Sequence, residues 1–185
     1  MTRAVTTRTD QAQVLAGFLA ADLANVRDSR LLSLASRVLS TRMNRTIREE
    51  RQLVYSIGAQ SRPAEAYPGS GVFAAQAPTD PAKAVALADA LEEMFAAFAV
   101  QGPTEDELVV AKRQMANVLG EILKGADFWS ERLALLTYRG LSLDDLARIA
   151  DDLQRLTAAE VREAFARYAR PDSSFRFVIL PEPPR

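Results

Sequence analysis

The sequence predicts an α+β domain: a largely antiparallel twisted sheet backed by helices. Three observations carry that prediction. Strand-like segments stand near both ends of the chain, and a third region, residues 53–77, has the pattern of a hairpin. Apolar residues recur every three or four positions through most of the remainder. The helical run is segregated from the strands and does not alternate with them, which argues against a parallel doubly wound sheet.

Residues 10–20, "DQAQVLAGFLA", read as a strand buried on both faces for part of its length. From Asp28 the period changes. Leu32, Ala35, Leu39 and Met43 make one apolar helix face, with Asp28 suited to the N-cap and the helix running to about Glu50. "LVYSIGAQ" favours a strand through Val54, Tyr55 and Ile57. "YPGSG" is a turn and "VFAAQA" the returning strand.

Asp80-Pro81 opens the next helix, with proline in the first turn and Ala84, Ala88, Leu91, Phe95 and Phe98 on its buried face. "QGPT" ends it. Thr104 and Glu107 have capping-box spacing, and Leu108, Ala111, Met115, Val118 and Ile122 then mark a long amphipathic helix. Shorter helices are predicted over 127–138, 143–152 and 158–169, two of them opened by Ser142 with Asp145 and by Thr157 with Glu160. "SFRFVIL" is a closing strand before the "PEPPR" tail. There is no internal repeat and no low-complexity linker, so residues 1–185 parse as a single domain.

Composition narrows the chemistry. Hydrophobic residues are 48%, charged residues 25% and the formal net charge −1. That balance argues against a general nucleic-acid or membrane-surface role. No apolar run spans a bilayer, and "MTRAVTTRTDQAQ" has no apolar signal core. The compartment stays open between periplasm and cytoplasm. The chain has no cysteine and no histidine. A Ser-His-Asp triad and every histidine-based zinc motif are therefore excluded, as are disulfides. No EF-hand loop, Walker loop or GxGxxG is present. A self-sufficient hydrolase is not expected.

The stretch "IREERQLVYSIGAQ", residues 47–60, holds the candidate site. Arg48 and Tyr55 can be read blandly, as a helix-end charge paired with a nearby glutamate and as a half-buried strand aromatic. They can also be read as a cation and a phenol converging on one ligand atom. Glu49 and Glu50 are adjacent and point in different directions, which disfavours an acid/base pair. The Glu92–Glu93 pair suits a solvated face. Arg42, Arg45, Arg48 and Arg51 recur every three residues and drift around the helix; they suit a solvated face or contact with an acidic peptide or partner. Phe128 and Trp129 suit helix packing or an interface.

The ordered set of stretches "DQAQVLAGF", "LSTRMNRTIREERQLVYSIGA", "GVFAAQAPTDPAKA", "TEDELVVAKRQMANVLGEIL" and "LTAAEVREAFARYARPDSSFRFVILPEP" resembles a non-catalytic, C-terminal-type domain of the M16 zinc metallopeptidases (pitrilysin, insulin-degrading enzyme, mitochondrial processing peptidase). The resemblance runs from about residue 10 to 184. It implies an M16-type α+β domain, a fragment or half of a larger two-half protein that closes like a clam shell around unfolded peptides. The zinc motif belongs to the first half, so no cofactor is expected in this chain and zinc is expected in the partner half. The implied partners are that zinc-bearing half, in the same chain or a separate subunit, and a peptide substrate. A homodimer is also open. The resemblance further implies a role for Arg48 and Tyr55, which fit the family's R-x6-Y arrangement: they would grip the substrate backbone beside the first half's active site. The alternative is a catalytically dead structural or interaction domain, as in M16-like scaffold subunits. An unrelated small-molecule-binding α+β domain is a third reading.

Overall fold

The structure, a computed structural model, describes residues 1–5, 10–134, 136–138 and 142–182. Its five-stranded sheet comprises β1 (Thr2–Val5), β2 (Ala12–Ala20), β3 (Ala59–Arg62), β4 (Gly71–Thr79) and β5 (Ser174–Pro181), in spatial order β1-β5-β2-β4-β3. Only β1 with β5 is parallel; the other three pairings are antiparallel. The predicted α+β class and mainly antiparallel sheet are therefore observed.

β2 is the spine. It pairs with β4 from Ala12↔Thr79 to Ala20↔Gly71, and on its other side with β5 from Gln13↔Ile179 to Phe18↔Ser174. Alternation along a strand sends every second residue to one face. Ala12, Val14, Ala16 and Phe18 of β2 and Phe73, Ala75 and Ala77 of β4 are all buried on the same face. Phe18 and Phe73 are direct cross-strand partners, and their rings stack with centroids 5.0 Å apart.

The helices lie on that side of the sheet, and the first, second and seventh of them pack directly on it. They are α1 (Val26–Met43), α2 (Ala84–Gln101), α3 (Glu105–Ile122), α4 (Ala126–Ala134), α5 (Leu143–Ala147), α6 (Ile149–Arg155) and α7 (Ala158–Tyr168). Phe165 of α7 meets both stacked rings edge-on at 5.1 and 5.2 Å, and Phe95 of α2 meets them at 5.9 Å. Edge-to-face pairs at these separations add to the burial energy. Arg176 of β5 bonds to Asp89 at 2.6 Å and Glu92 at 3.0 Å, tying the sheet to α2.

Local chemistry explains the boundaries. Thr104–Glu107 and Thr157–Glu160 form complete capping boxes, and Asp80 accepts from the Ala82 amide ahead of the short 3₁₀ turn Pro81–Lys83. α2 ends where Gly102 takes φ 69°, a value that favours glycine. α5 begins one residue after Ser142; the expected Ser142–Asp145 pairing lies outside the described side chains, and "PPR" outside the described residues.

Several expectations are corrected. Asp28 is not the N-cap. Asn25 caps α1 by accepting from the Asp28 amide, while the buried Asp28 carboxylate is occupied by Arg167, Tyr168 and Asn25. The strand expected from Leu53 begins only at Ala59. The apolar stripe of α3 is buried at Leu108 and Ala111 but not at its far end, where Val118 and Ile122 are 44% and 43% exposed. The opposite sheet face is uncovered: Leu19, Phe177 and Ile179 are exposed on it. No helix of the described residues is long and apolar enough to cross a membrane.

Candidate functional site

After Met43 the first helix continues without a break as a π-helical stretch, Asn44–Glu50. Such widened turns recur at functional sites. The stretch stops through two wide bonds, Arg51 N to Thr46 O and Leu53 N to Ile47 O, each 3.0 Å. Between them Gln52 sits at φ 51°, an uncommon conformation for a residue with a side chain. This is a left-handed helix stop built without glycine.

The chain then runs as an irregular segment that reaches β3, and the fold pins its backbone at intervals. Thr79 Oγ1 donates to Leu53 O at 2.6 Å and Lys83 Nζ to Gln52 O at 2.9 Å. Asn44 Nδ2 donates to Ile57 O at 3.1 Å. Ser40 Oγ both donates to Ala59 O and accepts from Ala59 N. Leu53 and Val54 pack against the core. Tyr55 lies between these anchors and is 88% exposed.

Arg48 projects from the π-helical stretch, and its guanidinium carbon lies 5.8 Å from the Tyr55 ring centroid. That is within the range of a cation–π contact. The structure thus brings together the two residues singled out in the sequence. It does not place Tyr55 in a strand, nor does Arg48 form the helix-end ion pair of the bland reading with any described residue. Its neighbours do form such pairs: Arg42 with Glu107 at 2.6 Å, Arg45 with Glu50 at 3.4 Å and Arg51 with Glu93 at 3.3 Å. Those pairs also account for Glu50 and Glu93, while Glu92 serves Arg176. A guanidinium over an exposed phenol leaves the ring's O–H free to donate outward and the cation free to meet a second, anionic or carbonyl partner.

A groove of about 610 Å³ begins at Ser56, the residue after Tyr55; it is lined by α1, by residues 56–62 and by Gln76 and Pro78 of β4, and by neither Arg48 nor Tyr55 themselves. Phe128 and Trp129 lie elsewhere. Their rings meet edge-on at 5.4 Å, and Trp129 Nε1 donates to Leu123 O. Phe128 lines an apolar cavity of about 320 Å³ between α1, α3 and α6 that contains neither Arg48 nor Tyr55.

Zinc does not fit this chain. It has no histidine or cysteine, and among the described residues no three carboxylates gather where an ion could sit. Sequence reading missed the positioning set Ser40, Asn44, Gln52 and Thr79. Polar side chains on a helix and a strand end carry no signal of the loop they hold.

The residues from 2 to 115, more than half of the chain, match the family model of the peptidase M16 inactive domain. No curated protein matches the sequence. Solved structures do match the fold. The peptidase M16 inactive domain from Pseudomonas fluorescens aligns over 100% of this chain and 44% of its own, with TM-score 0.84 and 22% identity. A protease from Helicobacter pylori aligns over 98% and 44%, with TM-score 0.81 and 15% identity. The periplasmic protease PqqL from Escherichia coli aligns over 98% and 20%, with TM-score 0.75 and 17% identity. The chain thus spans less than half the length of these three proteins.

Proposed function

Because the chain belongs to the peptidase M16 inactive-domain family, we propose that it is the non-catalytic half of a zinc metallopeptidase, closing on a zinc-bearing half to bind and orient peptides for hydrolysis. The observation that supports this most is the Arg48–Tyr55 contact at 5.8 Å, on a segment whose backbone is held while both side chains stay exposed. A fold that only needed an aromatic here would bury it.

The chemistry asked of the pair is modest. The phenol O–H of Tyr55 donates to a substrate carbonyl oxygen, most strongly as negative charge builds there. Arg48 presents several donors in a fixed plane. Zinc, expected in the other half, would supply the activated water; this chain has no histidine or cysteine to hold it.

The uncovered sheet face supports a partner. Leu15 and Leu19 of β2 stand with Phe175, Phe177 and Ile179 of β5 on one side, and Leu15↔Phe177 is a direct register pair. Side chains of this kind left facing water mark a contact surface.

Reconstitution tests the proposal. The chain alone should cleave no peptide, a zinc-bearing M16 half encoded in the same gene or beside it should be weak or inert alone, and the mixture should turn over. A zinc half with full activity that gains nothing from this chain would overturn it.

A further inference from the structure

The groove beside Tyr55 is chemically one-sided. Its lining includes Arg37, Arg62 and four serines, and contains no aspartate or glutamate. Elsewhere ten of the described arginines hold a carboxylate, and those without one, such as Arg113 and Arg155, do not share a groove with a second unpaired arginine. Arg37 and Arg62 hold none among the described residues. Arg37 is exposed on α1; Arg62, at the end of β3, bonds to the neutral Gln60 side chain. The hydroxyls of Ser56 and Ser61 have no hydrogen-bond partner among the described residues.

The groove's backbone edge is closed where the pair stands. Ser40 Oγ takes both the N–H and the C=O of Ala59 on the outer side of β3. A peptide therefore cannot extend the sheet there without displacing Ser40, and what the groove offers an incoming chain is side-chain donors and positive charge. Serine hydroxyls and guanidinium groups are the donors that recognise a carboxylate. Ser56 follows Tyr55 directly, so the groove opens one residue along the chain, about 3.8 Å from Cα to Cα, after Tyr55.

We propose that this groove is a subsite for an aspartate or glutamate side chain of the peptide, within a few residues of the bond that Arg48 and Tyr55 grip. The proposal rests on the reading of this rim as peptide-binding and adds a specificity to it: acidic peptides are preferred over their amides.

The test is fluorescence anisotropy on the 185-residue chain, with labelled flexible Gly-Ala peptides that carry either glutamates or glutamines at the same positions. The glutamate peptide should bind about tenfold more tightly, the order expected for two partly exposed charge-assisted contacts. The combined substitution Arg37→Gln and Arg62→Gln should bring the ratio close to one. Arg113→Gln with Arg155→Gln removes the same charge from exposed positions outside the groove and should leave the ratio standing. Equal binding of the two peptides overturns the subsite while leaving a peptide-binding rim intact. A preference that survives loss of Arg37 and Arg62, or that falls equally with Arg113 and Arg155, assigns it to overall charge and overturns the subsite too. Binding of neither peptide overturns the subsite and the peptide-binding reading together.

Discussion

Arg48 and Tyr55 meet across a helix stop, the guanidinium carbon 5.8 Å from the ring centre, with Gln52 at φ 51° between them. Their contact is exposed, so it stabilises the fold by only about 0.5–1 kcal/mol. The stop and the bonds from Ser40, Asn44 and Thr79 do the holding. Position is thus set by groups that never need to touch a ligand, and the two exposed side chains are left free for one.

The stop itself is strained. Replacing Gln52 with glycine removes the left-handed penalty of about 1–2 kcal/mol and adds the usual cost of glycine's freedom in the unfolded chain, about 0.5–1 kcal/mol. A net gain of about 0.5–1 kcal/mol is expected, read as a higher urea midpoint. A loss of stability would mean that the Gln52 side chain carries a contact more important than its backbone.

Asp28 joins the two ends of the helical layer. It accepts from Arg167 at 2.7 Å, from the Tyr168 hydroxyl at 2.9 Å and from Asn25 at 3.1 Å. Asp28→Ala strands the partly buried Tyr168 phenol and removes the partner of the exposed Arg167, and should cost about 1–3 kcal/mol; Asp28→Asn should cost less. Burial first, and then the bond to Asp28, pushes the pKa of the Tyr168 hydroxyl up from 10.0 to about 12. The folded state keeps that proton longer than the unfolded chain, so its contribution is whole below about pH 10 and fades as pH rises through about 12. Chemical denaturation at about pH 9 and about pH 11 reads it, one on each side of the unfolded value.

Glu107 responds at the other end of the scale. The Arg42 side-chain bonds hold the pKa of its carboxyl down to about 2, against the opposing effect of burial. In the unfolded chain the same carboxyl titrates near 4.5. The stabilisation is therefore whole above about pH 4.5 and is lost as pH falls towards 2. The pair is partly exposed, so after allowance for solvent screening its worth is about 1–2 kcal/mol. The stability gap between the native chain and Glu107→Gln should have that size near neutral pH, narrow steadily below about pH 4.5 and be nearly gone at about pH 2. A gap that stays constant across this range would show that the carboxylate's charge is not what the variant loses.

The purified chain should hold no stoichiometric zinc, because the ligands that dominate zinc sites, histidine and cysteine, are absent. Elemental analysis after dialysis checks this. One tightly held zinc per chain would require a carboxylate site that the described residues do not form.

Much of this fold was legible in the sequence, for identifiable reasons. Capping boxes announce themselves because two side chains at fixed spacing satisfy two fixed backbone donors, as at Thr104–Glu107 and Thr157–Glu160. Apolar runs bounded by turn residues revealed the three long strands. The errors arose where tertiary contacts outvote local preference. Val54, Tyr55 and Ile57 have strand propensity, but the backbone from 53 to 58 finds Thr79 and Asn44 side chains as partners and no neighbouring strand among the described residues. Asp28 looks like a cap, yet its carboxylate is claimed by residues about 140 positions away. Of the candidate site, Arg48 and Tyr55 could be singled out in advance as a candidate pair, and the guanidinium carbon and the ring centre do lie 5.8 Å apart; the groups that hold their backbone could not, since nothing local distinguishes Ser40 or Thr79 from any other hydroxyl.

The most direct measurement is the turnover of Tyr55→Phe in the enzyme assembled with its zinc-bearing half, set against the thermal stability of the isolated variant. The substitution removes a single donor and keeps the ring. If that donor serves the transition state, kcat should fall by about 10² to 10³, the loss seen when one oxyanion donor is removed, while KM changes little and the melting temperature stays put. Arg48→Lys, which keeps the charge and loses the planar fork, should also be impaired. A large drop in melting temperature with near-normal turnover per folded molecule would contradict this and leave the Arg48–Tyr55 contact a stabilising one without a part in turnover.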